Sequence, residues 1–97
     1  MSGMFLNGID IEVIKALGDE TRIEILVIIG KKELNATEIS SKCILSRPTI
    51  SHHLQILKRA NILTAKKEGK EIYYSINMGT LKKLSLTFLS FTNFGVF

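Results

Sequence analysis

ILSRPTISHHLQILKRAN, residues 44–61, is the stretch from which the rest of the chain can be read. Pro48 is tolerated inside a helix only in the first turn, where its missing amide donor would have had no partner, so a helix starts near Ser46 or Arg47. Asn61 closes it in the left-handed conformation. At about 100° per residue the side chains sort into two arcs. Ile50, Leu54 and Leu57 fall together, flanked by His53, Ile56 and Ala60. Arg47, Pro48, Ser51, His52, Gln55, Lys58 and Arg59 occupy the other arc. The adjacent histidines therefore diverge, His52 outward and His53 at the margin of the buried stripe. They are not a metal pair, because helix side chains converge at i, i+3 or i+4 and not at neighbouring positions.

Working upstream, NATEISSKC places Asn35 and Glu38 at capping-box spacing, which predicts a short helix from about Ala36 to Cys43, with ILS as the turn into the next. Asp19 caps ETRIEILVIIG, a central helix whose apolar residues Ile23, Leu26, Val27 and Ile29 precede a stop at Gly30. NGIDIEVIKALG reads as a first helix, with Asn7 as cap, Asp10 as its reciprocal partner and Ile11, Ile14 and Leu17 as its stripe. Downstream, ILTAKK and EIYYSI flank EGK; their β-branched and aromatic residues with Gly69 between them predict a hairpin. A fifth helix begins between Asn77 and Thr80 and covers LKKLSLTFLSF. The result is a mainly α (α+β) chain in the order ααααββα. Residues 1–97 read as one domain: a helix-turn-helix at about 36–60, a two-stranded wing at about 62–76 and a last helix at about 78–93.

Ninety-seven residues with 45% hydrophobic content suffice for one modest core, and a partner chain is plausible from the start. With no basic-then-apolar leader and no apolar run of about 18 residues, the reading is a cytoplasmic protein that does not span a membrane. Cys43 is the only cysteine, so there is no internal disulfide and no cysteine-built zinc site within one chain. The acidic residues are scattered over separate helix surfaces, Ser46 and Ser51 lack a convergent base, and no glycine-rich loop follows a strand. The chain is therefore not read as an enzyme, and no cofactor is expected. Charge is regional: residues 1–45 carry a net −2 and residues 46–97 a net +6. A basic half on a small protein suggests a polyanionic partner, although a solvated face would give the same count.

The polar arc of residues 47–59 has the chemistry needed to read base edges in a major groove. Arg47 can donate a planar fork to guanine, Gln55 can bond adenine, and Ser51 and His52 can reach bases or phosphates. With Pro48, Thr49 and Lys58 they form the candidate contact set on this helix. Lys66, Lys67 and Lys70 crowd the hairpin tip, where like charges repel one another unless an anion meets them. A helix for the groove and a hairpin over the adjacent backbone make a winged helix-turn-helix that binds double-stranded DNA. The alternative is a winged-helix module that docks an acidic or membrane-bound protein through the same basic surface.

The runs GDETRIEILVIIG, ATEIS, LSRPTISHHLQILKRANIL and KKEGKEIYYSIN together resemble the ArsR/SmtB family of winged-helix repressors over residues 10–77, with TISHHLQIL followed by IYYSIN the most specific match. The resemblance implies a homodimer that binds an imperfect palindrome near a promoter and blocks transcription. By that likeness Arg47, Pro48, Ser51 and His52 fall at base-reading positions and Lys66, Lys67 and Lys70 on the wing.

The chain departs from the family's metal sensors. Where some relatives carry cysteines at the start of the third helix, this sequence has Asn35 and Thr37. Where others place zinc ligands on the last helix, residues 81–97 contain no Asp, Glu, His or Cys. No metal response is expected. The likeness is closest to the metal-independent branch, whose DNA occupancy follows the repressor's own level or a separate regulatory protein. A thiol switch at Cys43 would need exposure and a lowered pKa, neither visible in sequence. Beyond Lys83 no residue is charged, and Leu84, Leu86, Phe88, Leu89, Phe91 and Phe94 surround the last helix. One small domain covers only one side of such a helix, so a second copy is expected on the other, with Phe5, Leu6, Ile9 and Val13 opposite Leu84, Phe88, Leu89 and Phe91. Attachment to a membrane surface is the competing reading, disfavoured by the missing basic flank.

Overall fold

The computed structural model describes residues 5–6 and 9–92, with side chains of the first hairpin described from Asp10 onward. Two short strands, β1 (Phe5–Leu6) and β2 (Ile9–Asp10), pair antiparallel. Then follow α1 (Ile11–Leu17), α2 (Glu20–Ile29), β3 (Leu34–Asn35), α3 (Ala36–Ser40), α4 (Arg47–Arg59), β4 (Leu63–Glu68), β5 (Glu71–Ile76) and α5 (Met78–Leu89). The expected helices and hairpin are present in the expected order. The structure adds β1, β2 and β3 to them.

The first helix differs most from expectation. Its cap is Asp10, whose carboxylate accepts the Glu12 amide at 3.0 Å, and Ile9 directly ahead of it is paired in β2. Asn7, the expected cap, lies outside the described residues. The stripe is also out of phase: α1 buries Val13 and Ala16 fully and Ile11, Ile14 and Leu17 only partly. In IEVIKAL five of seven residues are apolar, so spacing alone does not choose the inner face. α2 behaves alike. Asp19 caps it as expected, but the core takes Ile25, Leu26 and Ile29, leaving Ile23 and Val27 exposed.

The helix-turn-helix is built from its caps. Asn35 accepts the Glu38 amide at 2.8 Å while Glu38 accepts the Asn35 amide at 2.9 Å, a complete capping box at the start of α3. That helix ends at Ser40, sooner than the expected Cys43. Ser46 caps α4, with Pro48 in its first turn. At its far end Ala60 is the cap and Asn61 takes a φ of 63°. The Ile62 amide donates to the Leu57 carbonyl at 3.0 Å and the Asn61 amide to that of Lys58 at 2.9 Å, the paired bonds of a Schellman motif. Ile62 and Leu57, which such a motif brings together, are both fully buried.

β4 and β5 pair from Leu63↔Ile76 to Glu68↔Glu71, so a two-residue turn, Gly69-Lys70, joins them. Gly69 at φ 63° supplies the positive dihedral that a tight hairpin turn requires. The wing sheet has three strands and not two, in the order β3-β5-β4. Leu34 and Asn35 pair with Tyr74 and Tyr73, so Asn35 ends a strand and caps a helix at once. The core lies under α4: Ile50, Leu54 and Leu57 meet Ile25 and Ile29 of α2, Ile39 of α3, Ile62, Leu63 and Tyr74 in one buried cluster. The Asn77 amide donates to the Ile62 carbonyl at 2.8 Å, tying the start of α5 to the end of α4.

Candidate nucleic-acid interface

Because Ile50, Leu54 and Leu57 face the core, the opposite arc of α4 has to face outward. Arg47, Pro48, Ser51, His52, Gln55, Lys58 and Arg59 are all exposed, and Thr49 is half-buried at the edge. Thr49 takes part in the cap, its Oγ1 3.0 Å from the Ser46 hydroxyl, so it is less free than its neighbours. The two histidines divide as their spacing requires: His52 is exposed and His53 half-buried, their rings edge to face with centroids 5.5 Å apart.

Two contacts that the sequence did not reveal fix how this helix is held. Arg22 of α2, its side chain 14% exposed, donates through Nε to the Ala16 carbonyl at 2.6 Å and approaches His53 Nδ1 with Nη1 at 3.2 Å. A guanidinium only donates, so His53 Nδ1 is the acceptor. The same Nη1 lies 3.8 Å from the Asp19 carboxylate. Asp19 is held below its ordinary value of 3.8, first by the hydrogen bond from the Arg22 amide and then, against a smaller cost of burial, by the charge of the same arginine. At the other end of α4, Arg47 donates through Nη1 to the Thr37 hydroxyl of α3 at 2.6 Å. Residues of this kind come from distant positions, and no local pattern marks them.

The wing requires a correction. Lys66 is not an unpaired charge at a repelling tip: its ammonium lies 3.3 Å from Glu68 and 3.7 Å from Glu33, and the bond to Glu68 with the Glu33 charge raises its pKa. In KKEGKE the acidic residues dilute the cluster, leaving Lys67 and Lys70 without a recorded ion pair among the described residues. Both are exposed.

Of the expected apolar partner face, Val13 is 3% exposed within its own chain's core and has no free surface to offer. Leu84 is half-buried against that core, while Leu86, Phe88, Leu89 and Phe91 are exposed, at 60%, 45%, 48% and 60%. The side chains of Phe5, Leu6 and Ile9, and Phe94 altogether, fall outside the described residues. Cys43 is half-buried, its thiol 3.6 Å from the Ile39 carbonyl. Among the described residues no helix is long and apolar enough to cross a membrane.

An exposed polar helix, preceded by a capped short helix and followed by a sheet-borne hairpin, defines a winged helix-turn-helix DNA-binding protein. The profile described as bacterial regulatory protein, arsR family, matches residues 19–65, which span α2 through the first half of β4. The chain is 39% identical over 83 residues to the transcriptional repressor SdpR of Bacillus subtilis, covering 86% of this chain and 92% of that one. It belongs to the arsR family of transcriptional regulators, which are not enzymes. Among solved structures, an ArsR-like transcriptional regulator from Rhodococcus sp. RHA1 superposes with a TM-score of 0.74 at 34% identity, over 79% of this chain and 73% of that one. A homodimeric winged helix-turn-helix DNA-binding domain from Mycobacterium bovis gives 0.70 at 28% identity, over 81% and 74%.

Proposed function

We propose that this chain is a sequence-specific transcriptional repressor that acts in the cytoplasm as a homodimer on a palindromic operator, without sensing a metal. The observation that carries the reading is the outward arc of α4, which is exposed from Arg47 to Arg59 while its inner stripe is fully buried. Such a helix is rigidly seated and free on the side that would enter the groove. Arg47, Ser51, His52 and Gln55 read base edges in this account; Pro48 and Thr49 shape the first turn that approaches the backbone; Lys58, Lys67 and Lys70 meet phosphates. Lys66 contributes less than its neighbours because two carboxylates already compete for it.

Two-fold symmetry follows from the exposed side of α5, and a symmetric dimer reads a symmetric site. The homodimeric relative and the named repressor point the same way. Metal independence rests on side-chain chemistry. The start of α3 offers the Asn35 amide and the Thr37 hydroxyl, both already in hydrogen bonds, and α5 contains no Asp, Glu, His or Cys.

The test is selection of duplexes from a random pool, then mobility shift of the best one against random DNA. Arg47→Ala should weaken binding to the selected duplex by about 1–3 kcal/mol more than to random DNA, whereas Lys67→Ala should lower both and reduce the salt slope by about 1. If no duplex is enriched, or if the two variants behave alike on both, the base-reading assignment is wrong.

A further inference from the structure

Arg47 is the first residue of α4 and, among the described residues, the only member of the proposed reading set whose side chain is held by another helix. Its partner, Thr37, lies in the first turn of α3, where the reciprocal Asn35 and Glu38 bonds fix the backbone. The Nη1–Oγ1 distance of 2.6 Å is short for a bond from a charged donor to a neutral hydroxyl. A guanidinium carries five donors in a rigid plane, and this contact uses one of them. The edge formed by Nε and Nη2 is left unused, and that edge carries two parallel N–H groups, the pattern that guanine O6 and N7 accept. An unanchored arginine on an exposed helix start would sample many rotamers and lose that freedom on binding; one pinned by a neighbouring helix has less to lose.

We propose that Thr37 is a positioning residue for sequence reading, holding the Arg47 guanidinium so that its Nε/Nη2 edge is presented to a guanine. The inference rests on the reading of Arg47 as a base contact and adds the residue that aims it. It also gives the start of α3 a task in this chain that involves no metal: the hydroxyl there sets the selectivity of the helix that follows. Thr37 does not itself need to touch DNA, and its contribution falls on discrimination between sequences more than on affinity for duplex in general.

The experiment uses the full chain, the best duplex from in vitro selection and random duplex of equal length. Thr37→Val removes the acceptor and keeps the shape. It should cut affinity for the selected duplex by roughly five- to tenfold, the scale of one ordinary hydrogen bond, while affinity for random duplex changes less than twofold. Thr37→Ser keeps the hydroxyl and should restore discrimination. In the Arg47→Ala background Thr37→Val should add almost nothing, because the group it aims is gone. The melting temperature of each variant, measured alongside, shows that the loss is not one of folding. The proposal is overturned if Thr37→Val discriminates like the wild type, if Thr37→Ser behaves like Thr37→Val, or if the two substitutions add independently. A wild-type protein that shows no preference for any duplex would overturn the base-reading account itself, an outcome separate from these three.

Discussion

Arg22 has three kinds of partner: the carbonyls at the end of α1, the Asp19 carboxylate that caps its own helix, and the imidazole of His53 on α4. One side chain thus sets the recognition helix against the two helices beneath it. Asp19 is legible in the sequence, because an acidic residue ahead of an apolar run is a cap by residue type. Its tie to Arg22 and the reach from Arg22 to His53, 31 positions along the chain, are not, since no local spacing encodes them. The acid limb of stability follows. The carboxyl of Asp19 has a folded pKa depressed below its ordinary 3.8, so its contribution is fully present above that value and is lost as pH falls through the lower folded value. Asp19→Asn keeps an acceptor at the cap and cannot titrate. Its melting temperature should therefore fall less steeply than that of the wild type as pH is lowered below 3.8, relative to each protein's own value at neutral pH. Parallel curves would show that this carboxylate contributes nothing to the acid limb.

At the level of elements, the caps and the long helix were readable and the faces of the first two helices were not. Ser46, Pro48 and Asn61 each act through a property of the residue type: a short acceptor side chain, a missing amide, a tolerance of positive φ. α4 also alternates polar and apolar residues cleanly enough for its two arcs to be separated before any coordinates. α1 and α2 are too apolar for that: spacing alone puts Val13 outside and Ile23 and Val27 inside, the reverse of what the structure shows. β3 escaped notice because a two-residue strand carries no period, and its second residue already had a task as a cap. The Schellman turn yields a direct prediction. Asn61→Gly should leave stability within a few tenths of a kcal/mol, whereas Asn61→Val, forced into a left-handed dihedral, should cost about 1–2 kcal/mol. Urea denaturation with an unchanged slope checks both. Equal stability of the two would mean that the backbone at Asn61 relaxes out of its positive φ.

Over the whole molecule, charge and apolar surface are segregated. The half from Ser46 onward carries a net +6, yet its last charge is Lys83, and beyond it Leu86, Phe88 and Leu89 of α5 and Phe91 in the turn that follows face solvent. Large apolar side chains exposed together on one helix mark an association surface, and we assign it to a second copy of the chain. Light scattering after size exclusion should give twice the chain mass at micromolar concentration. Phe88→Asp should shift the protein toward monomer and weaken operator binding without lowering the helix content; a wild-type monomer would contradict the assignment. The wing belongs to the same scale, and there the sequence overstated the charge because it could not show Glu33 and Glu68 gathering around Lys66.

The central claim is that the outer arc of α4 and the tip of the wing form the surface that meets DNA. An NMR titration of the labelled protein with its selected duplex tests it most directly. Amide shifts concentrated at residues 47–59 and 66–70, with Leu86 to Phe91 unmoved, are the predicted result. Shifts centred on α5, or none on α4 at low salt, would contradict it.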